Sequence, residues 1–222
     1  MTTTPVEQRV LGYDAREMWT TGTVQWLEQR RNKYLLRPEV AKPLSTDTSV
    51  WPSIFAQPSG PDPEAAYELE APAWTGPIQY LWDDLTRLTA ALDAAWGKDW
   101  RPCRLIAVTL LYGRYDQEER ERWDQRIVGM TPPAVSEAWE FLGYDVSDGW
   151  LLSGLSNCGY GEAAESLRQE WAPHLNEHHL FDDLDKAVGF EAMTDVRVEE
   201  HAPFYVYGIY SIPRETVPRE LS

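Results

Sequence analysis

An amphipathic segment at 77–96 constrains the fold more than any other part of the sequence. Its apolar side chains recur at three- and four-residue spacing, Pro77 suits the first helical position, and Gly97 is a natural stop. The apolar positions are Ile78, Leu81, Leu85, Leu88, Leu92 and Ala95. The pattern predicts a core helix over 77–96, so the chain must supply a hydrophobic core for one helical face.

Two other stretches are typical of β-strands. The apolar run 104–112 is short and lies between Pro102 and Gly113, which favours a buried strand. Residues 196–198 alternate, and 204–212 is rich in aromatic and β-branched residues, so these two stretches predict a C-terminal strand pair. The predicted fold class is α+β: a mainly helical single domain with a small antiparallel sheet that includes this pair.

The remaining chain is predicted to be helical or irregular. Residues 37–77 contain eight prolines, which favours an irregular strap packed on a surface. We expect residues 1–60, a near-neutral helix and proline-rich strap, and residues 61–222, an acidic α+β body, to form one compact domain together. Further helices are predicted at 21–36, 115–127, 132–142, 162–171 and 180–192.

The charge of the chain is strongly negative and unevenly distributed. The formal net charge is −16, yet residues 1–60 hold six acids and seven bases, so the excess of acids lies in residues 61–222. A field of this sign repels phosphate backbones and anionic lipids and attracts basic macromolecules. We therefore expect a basic protein partner, and neither a nucleic acid nor a membrane. The start of the sequence also lacks the pattern of a secretory signal, so the expected location is the cytoplasm.

One short sequence occurs twice. Leu11–Asp14 followed by Trp19 matches Leu142–Asp145 followed by Trp150, with five identities at equal spacing. The flanking residues do not match. We interpret this echo as a recurrent turn or as chance, in preference to a duplication.

Two arrangements of residues resemble catalytic or metal sites. His174 and His178 stand four apart, as two ligands on one helical face do, and the neighbouring His179, Glu177, Asp182, Asp183 and Asp185 could add ligands. The helix-borne HExxH pattern is missing, and a polar helix-to-helix connection explains the same residues. Ser156 lies in a stretch that approaches the nucleophile elbow, with Asp185 or Asp195 and His201 as candidate triad partners, but Cys158 stands where the second glycine belongs. We expect no catalytic residue, metal or cofactor.

The aromatic composition points to an interface. The chain has 11 Trp and 11 Tyr but only five Phe, and Trp and Tyr carry a polar atom that prefers a partner or water at the rim of a buried surface. Trp150 lies in a glycine-containing stretch beside acidic residues. An exposed indole ringed by acids is a suitable anchor for a basic partner.

The stretches Phe141–Val146 and Ser153–Tyr160 resemble segments of bacterial immunity proteins that neutralise interbacterial toxins. The resemblance covers about 20 of the 222 residues and contains no catalytic motif. It implies an intracellular, non-enzymatic protein that binds one cognate toxin domain and occludes its active site.

The preferred hypothesis is therefore a cytosolic binding protein that neutralises an antibacterial toxin. The predicted partner-binding residues are Asp145, Asp148, Trp150 and Tyr160, with Asp182, Asp183 and Asp185 as a second acidic cluster. Two alternatives stay open. One is a small metal-dependent or serine-type hydrolase, and the other is an acidic nucleic-acid mimic that inhibits a DNA-binding protein.

Overall fold

The computed structural model describes residues 6–17, 63–97, 100, 103–131, 133–151, 153–156, 160 and 163–217. Its elements are β1 (Arg9–Glu17), α1 (Pro63–Thr75), α2 (Leu85–Trp96), β2 (Cys103–Leu110), α3 (Gln117–Arg126), β3 (Glu140–Asp148), α4 (Ala164–Trp171), α5 (Leu184–Arg197) and β4 (Phe204–Ile212). The strands form an antiparallel sheet in the order β1-β2-β4-β3, which confirms the α+β fold class. None of the helices in these ranges is long and apolar enough to cross a membrane.

The described residues belong to two compact units. Unit 1 comprises 6–15, 63–141 and 210–217, and unit 2 comprises 16–17 and 142–209, with the gaps given above. The predicted boundary near residue 60 and the predicted helix at 21–36 lie outside the described residues.

The core helix of unit 1 forms as predicted in its second half. The Asp84 carboxylate accepts hydrogen bonds from the backbone N–H groups of Thr86 and Arg87 at 2.6 and 3.3 Å, so α2 begins at residue 85 and not at 77. Leu88 and Leu92 are fully buried on its inner face. The segment before it is a turn with Tyr80 at φ 72°, which an α-helix does not accommodate.

Strand β2 is confirmed close to its predicted bounds, and seven of its eight residues are buried. It lies in the apolar core of unit 1 together with α1 and α2. The prediction of an irregular chain over 37–77 was wrong for 63–75, where Pro63 occupies the first position of α1 and its missing N–H costs nothing.

The largest error concerns 132–142, where the helix prediction was wrong. Residues 133–139 are not helical, and strand β3 begins at Glu140. Gly143 has φ 139° in this strand, a conformation outside the helical region. The helices predicted at 115–127 and 162–171 are confirmed as α3 and α4.

The predicted C-terminal strand pair was also wrong in its first member. Helix α5 continues to Arg197, and the Val198 N–H donates to the Thr194 carbonyl at 2.8 Å, so 196–198 ends a helix. Only the second member, β4, is a strand, and it is an inner strand of the sheet. The alternation of three residues is too short to distinguish a strand from the last turn of a helix.

Burial of tyrosine side chains in unit 1 predicts a loss of stability at alkaline pH. Burial, together with the nearby Asp84 carboxylate, raises the pKa of Tyr13 to about 12. The unfolded chain releases this proton near pH 10. Stability contributed by the protonated phenol is therefore complete below about pH 10 and is lost as the pH rises towards 12.

We expect Tyr13→Phe to make the free energy of unfolding fall less steeply with pH between about pH 10 and 12, by up to about 1.4 kcal/mol per pH unit. Urea unfolding at several pH values between 9 and 12 measures it. Tyr67→Phe is the matched control because Tyr67 is 59% exposed. Equal pH slopes for the Tyr13→Phe variant and the unmodified protein would contradict the assignment.

Candidate partner-binding surface

A tight turn after β3 presents Trp150 to solvent. The indole side chain is 61% exposed, while the next residue, Leu151, is completely buried. The Trp150 N–H donates to Asp148 Oδ1 at 2.8 Å, and the Leu151 N–H donates to the Asp148 carbonyl at 3.1 Å. Leu151 adopts φ 64°, which tightens the turn. A large aromatic side chain is thus held outward by a backbone fixed on both sides.

Asp148 organises this turn from inside the protein. Only 1% of the residue is exposed. Its Oδ2 atom lies 3.1 Å from His201 Nδ1, and its backbone carbonyl accepts a hydrogen bond from the Tyr207 hydroxyl at 3.0 Å. Since Oδ1 holds the Trp150 N–H and Oδ2 faces His201, the buried Asp148 positions the turn and does not itself reach a partner.

The loop 198–203 lies against the turn and supplies negative charge. His201 connects the two, since its Nδ1 faces Asp148 and its Nε2 lies 3.8 Å from Glu200 Oε1. Glu199 and Glu200 are exposed. We call the residues Trp150, Glu199, Glu200 and His201 the Trp150 surface. It combines an apolar anchor with carboxylates and follows the C-terminal end of α5, where the helix dipole adds negative potential.

Two of the predicted contact residues are buried and require a correction. Asp145 is completely buried, and its Oδ1 accepts hydrogen bonds from Ser153 Oγ at 2.9 Å and from the Val146 N–H at 2.8 Å. Tyr160 is 8% exposed, and its hydroxyl lies 2.9 Å from Thr194 Oγ1. Burial raises the pKa of Tyr160, so the phenol keeps its proton to a higher pH than an exposed tyrosine does. A partner cannot reach the side chains of Asp145 and Tyr160, so the prediction that they contact it was wrong.

The second predicted acidic cluster is exposed but lies elsewhere. Asp182, Asp183 and Asp185 surround the start of α5. Asp183 caps the helix by accepting hydrogen bonds from backbone N–H groups, and Asp182 accepts one from Asn176 Nδ2 at 2.5 Å. Helix α5 has 14 residues, so its ends are about 20 Å apart. The cluster and the Trp150 surface therefore lie at opposite ends of this helix. The cluster stays a prediction.

The residues considered for metal binding are arranged differently from the prediction. His174 ends a short 3-10 turn and packs edge-on against Trp171, whereas His178 follows a bend in which Asn176 Oδ1 accepts its N–H at 2.8 Å. The two imidazoles are therefore not on one helical face. Among the described residues, no group of three or more His, Cys, Asp or Glu side chains is placed to hold a metal ion.

In the triad proposed for Ser156, the carboxylate that His201 faces differs from the prediction. His201 faces Asp148, and Asp195 Oδ1 instead accepts the Phe204 N–H at 2.7 Å. Asp148 and His201 are 53 positions apart in the chain, and no local pattern joins them. The local sequence shows only the polar residues Ser147 and Asp148 followed by Gly149 and Trp150.

Comparisons of the chain with protein-family models, with curated proteins and with solved structures found no match.

Proposed function

We propose that this chain is a binding protein that neutralises a cognate antibacterial toxin by occluding the toxin's active site, and that it acts in the bacterial cytoplasm. The single observation that carries the proposal is the exposed Trp150 indole on a turn anchored by buried Asp148. Covering an exposed tryptophan with a partner surface removes a large apolar area from water, which favours binding. A rigid turn lowers the entropy lost when such a side chain is immobilised by a partner.

The charge of the chain supports a basic partner. The net charge is −16, and exposed Glu199 and Glu200 flank His201, which faces the Asp148 carboxylate of the turn. Carboxylates at the rim of an interface mainly accelerate association and select partners of opposite charge, whereas the aromatic anchor supplies affinity. We therefore expect the association rate with the toxin to fall as salt concentration rises, with a smaller change in the dissociation rate.

The test uses Trp150→Ala and the protein encoded by the adjacent gene, beside which an immunity protein is expected. We expect the dissociation constant to rise about 30-fold or more, the range of an interface hot spot, and growth protection to be lost. Isothermal titration calorimetry measures the first effect and a co-expression growth assay the second.

The matched control is Val128→Ala, because Val128 in unit 1 is an exposed apolar side chain at 74% exposure. It should leave affinity and protection unchanged. Unaltered affinity of the Trp150→Ala variant would remove the Trp150 surface from the proposal, and absence of any complex with the unmodified chain would remove the proposed function.

A serine-type hydrolase is the second candidate, and one observation favours it. His201 Nδ1 lies 3.1 Å from the buried Asp148 carboxylate, which is the orientation that a general base needs, and Ser156 would be the nucleophile. A fluorophosphonate probe separates the candidates, since covalent labelling that is lost in Ser156→Ala supports hydrolysis and contradicts a purely binding role.

A further inference from the structure

The repeated Leu-Gly-Tyr-Asp sequence has the same geometry in both units. In β1 of unit 1, the Tyr13 N–H donates to the Trp82 carbonyl at 2.8 Å, and the Trp82 N–H donates back to Tyr13 at 2.9 Å. In β3 of unit 2, Tyr144 and Phe181 exchange the same two hydrogen bonds, both at 2.8 Å. In each case the glycine before the tyrosine admits the second segment at close range. The echo is therefore a matched structural feature of both units.

The segment that meets each strand is also repeated. Leu81–Leu85 reads Leu-Trp-Asp-Asp-Leu, and Leu180–Leu184 reads Leu-Phe-Asp-Asp-Leu. The residue before each segment has a positive φ, 72° at Tyr80 and 56° at His179. The second aspartate of each segment caps the following helix by accepting hydrogen bonds from the N–H groups two and three residues later. A chance match of one turn does not extend to a second segment with the same backbone conformation and the same cap.

Both capped helices then lead to a strand in the same way. A six-residue connection follows α2 and α5, and each connection ends in proline before the last strand, at Pro102 and Pro203. We infer that β1-α1-α2-β2 and β3-α4-α5-β4 are diverged copies of one motif, and that only the second copy keeps the loop before its last strand open for a partner, so that one chain binds one toxin molecule. This inference rests on the proposed function, because a duplicated binding motif would otherwise offer two sites.

The divergence is clearest three residues before the last strand. Unit 1 has Trp100 there, which is 7% exposed, belongs to the apolar core and donates from Nε1 to Asp93 Oδ1 at 2.5 Å. Unit 2 has His201 at this position, with a side chain that is 29% exposed and faces Asp148. The first copy thus closes the position with a buried indole, and the second opens it as part of the Trp150 surface.

The buried polar side chains show the same asymmetry. Thr109, Asp145, Ser147, Asp148, Ser153 and Thr194 are the described polar residues with at most 1% exposure. All except Thr109 belong to unit 2. Burying polar groups costs free energy unless each one is hydrogen-bonded, and a satisfied network fixes the positions of its members. In unit 2 one of these buried groups, the Asp148 carboxylate, accepts the Trp150 N–H and so fixes the turn that presents the indole, which agrees with a binding role for the second copy.

The first part of the test needs only the free, full-length protein labelled with 5-fluorotryptophan. Trp100→Phe and Trp150→Phe assign the two fluorine resonances. A soluble gadolinium chelate should broaden the Trp150 resonance several-fold more than the Trp100 resonance. Equal broadening would overturn the inference, because the position in unit 1 would then be as open as the surface in unit 2.

The second part titrates the labelled protein with the product of the adjacent gene and determines the stoichiometry by native mass spectrometry. A one-to-one complex in which the Trp150 resonance shifts and the Trp100 resonance does not supports the inference. Two toxin molecules on one chain, or a shift of the Trp100 resonance alone, overturns the inference but leaves the binding function intact. Asymmetric broadening without any complex supports the structural divergence and overturns the proposed function.

Discussion

Gly143→Ala should lower the free energy of unfolding by about 2–5 kcal/mol, since the added methyl group meets packed atoms on a strained backbone. A Cβ atom at this position would lie 2.6 Å from Leu180 Cβ and 3.0 Å from the Phe181 carbonyl oxygen, and the residue has φ 139°. The obstruction includes backbone, so rotation of a side chain cannot relieve it. Guanidinium unfolding at 25 °C measures the effect.

Gly12→Ala should have an effect of similar size in unit 1. Its Cβ atom would lie 2.7 Å from the Trp82 carbonyl oxygen and 2.8 Å from Leu81 Cβ. Gly129→Ala is the control for backbone strain alone, since Gly129 has φ 87° but no atom within 4 Å of the added carbon, and we expect a cost of about 1 kcal/mol. If all three variants were equally stable, the close approach of segments that defines the repeated motif would be contradicted.

Elements with a local sequence pattern could be predicted from the sequence. Leu88 and Leu92 on α2 and the apolar run of β2 are buried as predicted. Long-range pairing was not predictable in this way: the helix predicted at 132–142 overlaps the start of β3, where the backbone bonds of Tyr144 to Phe181 favour the extended chain. Tertiary contacts override local preference where a strand can pair.

For the candidate site, too, local sequence predicted some features and the fold decided the others. Sequence reasoning identified Trp150 as a possible anchor, and the structure places its indole on the surface. Asp145 was predicted from the sequence to contact the partner, although its carboxylate is buried and bonded to Ser153. Acidic residues are usually exposed, and only the fold shows which of them turn inward. The equivalence of His201 with Trp100 likewise depends on recognising two units.

Asp148→Ala should be the most damaging single change in the site. It removes the carboxylate that accepts hydrogen bonds from the Trp150 N–H and His201 Nδ1. This carboxylate is buried, since only 1% of Asp148 is exposed. Leaving buried partners without an acceptor costs about 2–4 kcal/mol in the free energy of unfolding. Asp148→Asn keeps one side-chain oxygen for the Trp150 N–H, so we expect a smaller cost, about 1 kcal/mol, in the same guanidinium experiment.

A matched change in the same strand separates folding from binding. Asp145→Asn also alters a buried carboxylate of β3, but this carboxylate accepts hydrogen bonds from Ser153 Oγ and the Val146 N–H, whereas that of Asp148 accepts the N–H of Trp150 itself. We therefore expect Asp145→Asn to lose stability while keeping its affinity for the toxin, and Asp148→Ala to lose both even where it is fully folded. Calorimetry at a temperature well below both unfolding transitions makes this comparison. Equal affinities for the two folded variants would show that Asp148 stabilises the fold without positioning Trp150, because a disordered turn must weaken an anchored indole.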